Sequence, residues 1–219
     1  TLQRFGKPKV ELVFAARWLM DACRLSGPVE MSPIDLQRFA PAECERDNGS
    51  NRRFTIGRLS RDHAKKHHPN DIGIYHHLVS EGSTVKIMGG RCLAGELDNV
   101  SEVTLLSAGA QEPDVFLKGL DCFFYRTSEK YFEPSGRVVS EAMACGLPVV
   151  CHRRGGYSEY IEDRVDGFLF DTDAEAVEIL LTLKADPALR KCVGQAARKK
   201  LEASLAPAVR DEFLRFYTR

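Results

Sequence analysis

The chain has 219 residues, of which 43% are hydrophobic and 28% charged, an ordinary balance for a soluble globular protein. Lys plus Arg equals Asp plus Glu, so the formal net charge is zero and no global basic field is offered to nucleic acid or an anionic membrane. At this length a core can form without metals or disulfides, and basic residues cluster only locally, from Arg58 to His68.

In chain order, residues 10–25 read as a strand running into a helix, with Val13, Ala16, Trp18, Leu19 and Cys23 as apolar positions and Gly27-Pro28 as the break. Residues 29–39 read as extended, and the polar stretch 43–51 as a linker. From residue 52 onward, short apolar runs alternate with helical patterns. Strands are expected at 52–57, 84–89, 102–107, 121–125, 147–151 and 167–170. Helices are expected at 71–81, 113–120 and 136–145, and three more close the chain at 173–185, 187–204 and 206–217.

This alternation predicts an α/β fold: a doubly wound, Rossmann-like, six-stranded parallel sheet covered on both faces. A ligand is expected beyond the carboxyl ends of the strands, at a topological switch point. The expected division is a tail and crossing segment over 1–45, a Rossmann-like domain over 46–205 and a terminal helix over 206–219.

The seven cysteines, Cys23, Cys44, Cys92, Cys122, Cys145, Cys151 and Cys192, are odd in number and none forms C-x-x-C. They are read as buried free thiols of a reducing compartment. With no signal-peptide pattern and no apolar run of about 18 residues, a cytoplasmic location is expected.

Residues 132–150 carry the chemistry. Ser135-Gly136 precedes a short helix, Ser as a good N-cap and Gly allowing close approach of a ligand to the backbone. The free amides of that first turn suit a diphosphate. Gly146 fits the C′ position and Pro148 cannot extend the helix. Glu133 precedes the turn and Glu141 lies within the helix, so one ligand lying across the helix start would meet both. A carboxylate that accepts two vicinal hydroxyls is a natural partner for a ribose.

The run from Glu133 through Glu141-Ala-Met-Ala-Cys-Gly-Leu-Pro-Val-Val resembles the retaining family-four glycosyltransferases of GT-B fold. So do Gly155-Gly-Tyr-Ser-Glu159, Asp166-Gly-Phe-Leu-Phe170 and Ile56-Gly57-Arg58-Leu with lysines downstream. The likeness covers roughly residues 52–205, and Ile34-Asp-Leu-Gln-Arg-Phe39 resembles the stretch that crosses between the two domains of that fold. It implies the donor-binding, carboxyl-terminal half of an enzyme that moves a hexose-type sugar from a nucleoside-diphosphate sugar to a glycan, lipid or small-molecule acceptor.

By position, the resemblance implies that Glu141 binds the ribose hydroxyls and Glu133 the donor sugar. The backbone of Ser135, Gly136 and Arg137 would meet the diphosphate, beside Gly57. Arg58 and Lys66, with Lys65 as the substitute, would neutralise its charge. Whether Arg137 adds a ligand contact or only a surface charge is open, as is whether Tyr125-Arg126 line the pocket or merely pack.

No cofactor, metal or nucleic acid is expected. His63 and His67 have i, i+4 spacing, but lysines interrupt them and no acidic or cysteine ligands are organised nearby, so the stretch reads as a polar loop. Asp171-Thr-Asp173 matches a D-x-D metal signature by letters, yet Asp173 reads as a helix N-cap. The resemblance further implies a missing amino-terminal domain that holds the acceptor site, little transfer by this chain alone, and possible peripheral membrane association of the full-length protein. The alternatives are a GT-B epimerase or phosphorylase and a non-catalytic nucleotide-binding or assembly module.

Overall fold

A computed structural model describes residues 11–42 and 52–207, together with Val209 and Asp211. The elements are α1 (Arg17–Cys23), β1 (Thr55–Leu59), α2 (Asp71–Ser80), β2 (Thr84–Met88), α3 (Ala94–Leu97), β3 (Val103–Leu106), α4 (Pro113–Lys118), β4 (Cys122–Tyr125), α5 (Arg137–Ala144), β5 (Val149–His152), β6 (Phe168–Phe170), α6 (Asp173–Ala185) and α7 (Pro187–Ser204). Short 3-10 turns cover Ala64–Lys66, Arg91–Leu93 and Gly156–Glu159.

The strands form one parallel sheet in the order β3-β2-β1-β4-β5-β6. The order reverses direction between β1 and β4, which makes that gap the switch point. Alternation along each strand feeds two cores. In β4, Phe123 and Tyr125 join Val139, Met143 and Leu117 on one face. Cys122 and Phe124 join Ile74, Leu78, Leu180 and Leu183 on the other. Every residue of β1 and β4 is buried, as doubly covered parallel strands require.

Local signals account for the starts of α6 and α7 and for the end of α5. Thr172 caps α6 by accepting from the Glu175 amide, and Asp186 caps α7 by accepting from Leu189, with Pro187 at the first helical position. At the end of α5 Gly146 has φ +69, and the Leu147 amide reaches back to the Ala142 carbonyl (3.1 Å). The segment 31–39 is fastened to the same face: Ile34 and Phe39 enter its core. The Arg198 guanidinium of α7 donates to the carbonyls of Leu36, Phe39 and Ala144.

Several expectations are corrected. β1 does not end at Gly57 but runs on through Arg58 and Leu59. Of the strand expected ahead of α1, the described residues 11–16 show only an isolated bridge, Phe14 to Val29, and the helix itself spans Arg17–Cys23. The cap of α6 is Thr172 rather than Asp173. Cys122, Cys145 and Cys151 are buried free thiols, whereas Cys23, Cys92 and Cys192 are exposed. Cys44, the 43–51 linker and most of the expected helix 206–217 lie outside the described residues. No described helix is long and apolar enough to cross a membrane.

Candidate active site

Of the predicted residues, Lys66 and Glu133 meet near the carboxyl ends of β1 and β4. Glu133, in the loop after β4, accepts from Lys66 Nζ (2.7 Å) and from the Tyr125 hydroxyl (2.8 Å), both on Oε2. The side chains of Lys66 and Glu133 are each 11% exposed. Lys66 Nζ also stands 4.1 Å from the Tyr131 ring centroid, a cation–π contact. Among the described residues no hydrogen bond reaches Glu133 Oε1.

Lys66 is placed by the 3-10 turn Ala64–Lys66, whose cap is the His63 side chain accepting from the Lys65 amide. His67 then leaves the turn inward, with Nε2 2.8 Å from the Gly89 carbonyl. Burial and the Arg58 charge hold its pKa down to about 3, so the ring is neutral. Nε2 therefore carries the proton given to Gly89, and buried Nδ1 is left without a partner. Lys65 is exposed. Of the two lysines, the fold brings Lys66 to Glu133.

Arg58, expected to neutralise the diphosphate together with a lysine, lies in the interior beneath Lys66. It is 1% exposed, and its guanidinium donates to the carbonyls of Arg126 (2.8 Å) and Lys66, with Asp71 at 3.4 Å. It lies 4.8 Å from the Tyr125 ring centroid. Arg126 is committed as well, to Asp71 through Nε (2.9 Å) and to Asp173. Asp71 thus ties two arginines beneath the site. Gly57 is likewise interior: a Cβ there would come 2.5 Å from Leu120 and 2.8 Å from the Lys86 carbonyl, so its missing side chain makes room for Leu120 and the adjacent strand.

The start of α5 is built by Gly136, not by Ser135 as cap. Gly136 has φ 70 and ψ 50, and no side chain caps the helix. A Cβ at 136 would sit 2.6 Å from the Tyr157 ring, so both the left-handed backbone and the close ring demand glycine. The Tyr160 hydroxyl lies within bonding distance of the Ser135 carbonyl (3.2 Å), the Gly136 carbonyl (3.3 Å) and Ser140 Oγ (3.0 Å). Among the described residues, no acceptor is paired with the amides of Gly136, Arg137 or Val138. These are the donors a helix start leaves for an anion.

Farther along α5, Glu141 is mostly buried and accepts from Arg137 Nε at 3.0 Å. Burial pushes its carboxyl pKa up, and Arg137 partly opposes that shift. The Arg137 side chain is 58% exposed. Sequence reasoning missed the Tyr125 hydroxyl as a partner of Glu133, and it missed Asp71. A tyrosine at the end of an apolar strand facing a loop carboxylate was the available signal for the first. The second reads as an ordinary helix-start acid. Among the described residues, no three His, Cys, Asp or Glu side chains are grouped to hold a metal.

An open parallel sheet with a carboxylate–lysine pair and a free helix start at its switch point defines a doubly wound α/β domain with its site at the strand ends. The chain belongs to the family of glycosyl transferases group 1, whose model matches residues 56–200. It is 45% identical over 69 residues to the D-inositol 3-phosphate glycosyltransferase of Arthrobacter sp. (strain FB24), covering 31% of this chain and 16% of that protein. Over 123 residues it is 29% identical to the human alpha-1,3/1,6-mannosyltransferase, covering 53% and 28%. These matches therefore span less than a third of either relative.

Among solved structures, Anabaena HepE in complex with UDP and glucose superposes with a TM-score of 0.76 at 18% identity, over 95% of this chain and 62% of that one. The C-terminal domain of the group 1 glycosyl transferase LpcC from Francisella tularensis gives a TM-score of 0.61 at 19% identity, over 78% and 97%. The fold is that of the carboxyl-terminal half of a GT-B glycosyltransferase.

Proposed function

We propose that this chain is the donor-binding part of a retaining glycosyltransferase that transfers a hexose-type sugar from a nucleoside-diphosphate sugar. The observation that carries the reading is the convergence of Lys66, Glu133 and the unpaired amides of α5 at the switch point, with Glu141 farther along the same helix. Related folds have been solved with UDP, which supports a nucleotide donor here.

In this reading the diphosphate lies against the amides of Gly136, Arg137 and Val138, next to Lys66. Departure of the nucleoside diphosphate places negative charge on the leaving oxygen. Fixed positive groups there stabilise the transition state more than the ground state. Glu141 accepts from the ribose hydroxyls through the oxygen that Arg137 leaves open, and Glu133 Oε1 accepts from a sugar hydroxyl. Arg58 acts from below: it fixes the Lys66 carbonyl and the Arg126 carbonyl, and so holds the lysine turn against β4. The scheme uses protein donors alone, without metal or cofactor. The acceptor, whether glycan, lipid or small molecule, and the groups that bind it belong to an amino-terminal domain in this reading. The buried reduced thiols Cys122, Cys145 and Cys151 support a cytoplasmic setting.

A thermal-shift screen with UDP, GDP and ADP tests the reading. Stabilisation that grows with the concentration of one of them is expected. No shift with any of them contradicts it.

A further inference from the structure

Glu159 has no part in the site as described. Its carboxylate accepts from the amides of Arg17 (2.7 Å) and Trp18 (2.8 Å), the first residues of α1. These amides lack a partner within the helix, and the cap residue Ala16 has no side chain to serve them. Trp18 then makes two further contacts. Its indole N–H donates to the Pro134 carbonyl (3.3 Å), and its ring lies on Phe132 with centroids 4.0 Å apart. Phe132 and Pro134 are the residues on either side of Glu133. The Arg154 guanidinium also stands 5.2 Å from the Phe132 centroid.

The turn bearing Glu159 grips the same loop. The Gly156 amide donates to the Glu133 carbonyl (2.9 Å), and a Cβ at 156 would lie 1.7 Å from the Pro134 carbonyl oxygen and 3.0 Å from Ala16 Cβ. Three segments remote in sequence thus meet without spare room at the backbone of Glu133. Although Phe14 and Ala16 just ahead of it are buried, no residue of α1 itself is. A helix of seven residues has little stability of its own. Its seat therefore rests on the Glu159 carboxylate and the Trp18 contacts.

We propose that Glu159 and Trp18 form a latch coupling α1 to the donor loop, with Glu159 as a positioning residue and Trp18 as the side chain that transmits the position. This rests on the donor-site reading above. With α1 seated, Phe132 and Pro134 are held and Glu133 faces Lys66. With α1 released, the loop loses its outer support. Because coupling is reciprocal, a nucleotide that binds the seated form tightens α1 by the same factor that α1 tightens the nucleotide.

Trp18 is the single tryptophan of the chain, so its emission reports the latch directly. The test is acrylamide quenching of Trp18 in the wild-type chain and in Glu159→Gln and Glu159→Ala, each with and without UDP, with UDP affinity measured in parallel by calorimetry. GDP or ADP replaces UDP if it binds instead. Without nucleotide, Glu159→Ala raises quenching at least about twofold. Glu159→Gln raises it less, because its amide oxygen still accepts. Saturating nucleotide lowers quenching in the wild type, and its affinity falls about fivefold or more in Glu159→Ala with Glu159→Gln between. Equal quenching in wild type and Glu159→Ala, or unchanged nucleotide affinity, overturns the latch while leaving the donor site standing. If none of the three diphosphates binds the wild type, the donor reading falls and the coupling falls with it.

Discussion

Lys66 Nζ and Glu133 Oε2 stand 2.7 Å apart, with the Tyr125 hydroxyl on the same oxygen. Both side chains are largely withdrawn from water, and each is the other's ion-pair partner. Lys66 carries protons not used by Glu133, and no hydrogen bond reaches Glu133 Oε1 among the described residues, so in the proposed reading both groups can still engage a ligand.

Removal of the lysine strands the carboxylate. Lys66→Ala is expected to cost about 2–3 kcal/mol, below the range for a fully buried broken pair because some water reaches both groups. That corresponds to a fall in melting temperature of about 5–10 °C for a chain of this size. The double variant Lys66→Met/Glu133→Gln should recover much of that loss in thermal unfolding while nucleotide affinity stays low. Failure to recover would mean that the loss does not come from an unpaired charge.

Arg58 is an interior strut under Lys66, so its variants should separate stability from binding. Arg58→Ala leaves the carbonyls of Lys66 and Arg126 without a donor and costs about 3 kcal/mol or more. Arg58→Lys recovers little, because an ammonium does not reproduce the planar fork. For the folded variant at low temperature, calorimetry should show a smaller loss of nucleotide affinity than for Lys66→Met/Glu133→Gln. A larger loss would place the guanidinium in the ligand site.

Gly136→Ala combines a left-handed backbone with a Cβ 2.6 Å from the Tyr157 ring. The backbone cost alone is about 1–2 kcal/mol, and relief of the clash moves the amides of α5. Denaturant unfolding should show this loss, and nucleotide affinity should fall at least about tenfold. A variant of wild-type stability and affinity would remove the close approach from the account.

The pH dependence follows from Glu141. Burial raises its pKa in the folded chain, so its protonated form favours the fold at low pH, and that contribution is lost as pH rises through the raised value. In the proposed reading ribose binding needs the opposite form, because a carboxylate accepts from both hydroxyls. Affinity for UDP-glucose, whose diphosphate does not titrate in this range, should therefore rise with pH through a midpoint above the ordinary glutamate value. Arg137→Ala should move that midpoint upward, since Arg137 lowers it. Glu141→Gln should flatten the profile, and a pH-dependent profile in that variant would assign the titration elsewhere.

The sheet was legible because its strands are continuous apolar runs with glycine and proline between them. The runs in β4 and β5 are short, rich in β-branched or aromatic residues, and bounded by breakers, and Gly146 with Pro148 marks the end of α5. The end of β1 was obscured because Arg58 looks like a surface residue. It is buried only because Asp71 and two carbonyls, all outside the strand, receive its guanidinium. Ser135 was misread as a cap since serine suits that role locally, whereas the backbone turn is made by Gly136 against Tyr157. The contact of Glu159 with Arg17 and Trp18 spans more than 140 positions of sequence, and no local pattern encodes it.

The most direct test of the central claim is calorimetric titration of UDP, GDP and ADP into the wild-type chain and Glu141→Ala. The account predicts that at least one diphosphate binds the wild type with one-to-one stoichiometry and binds Glu141→Ala at least about tenfold more weakly, the loss expected when a charge-assisted hydrogen-bonding partner is removed. Absence of binding by all of them, or equal affinity in Glu141→Ala, would contradict a donor site at the start of α5.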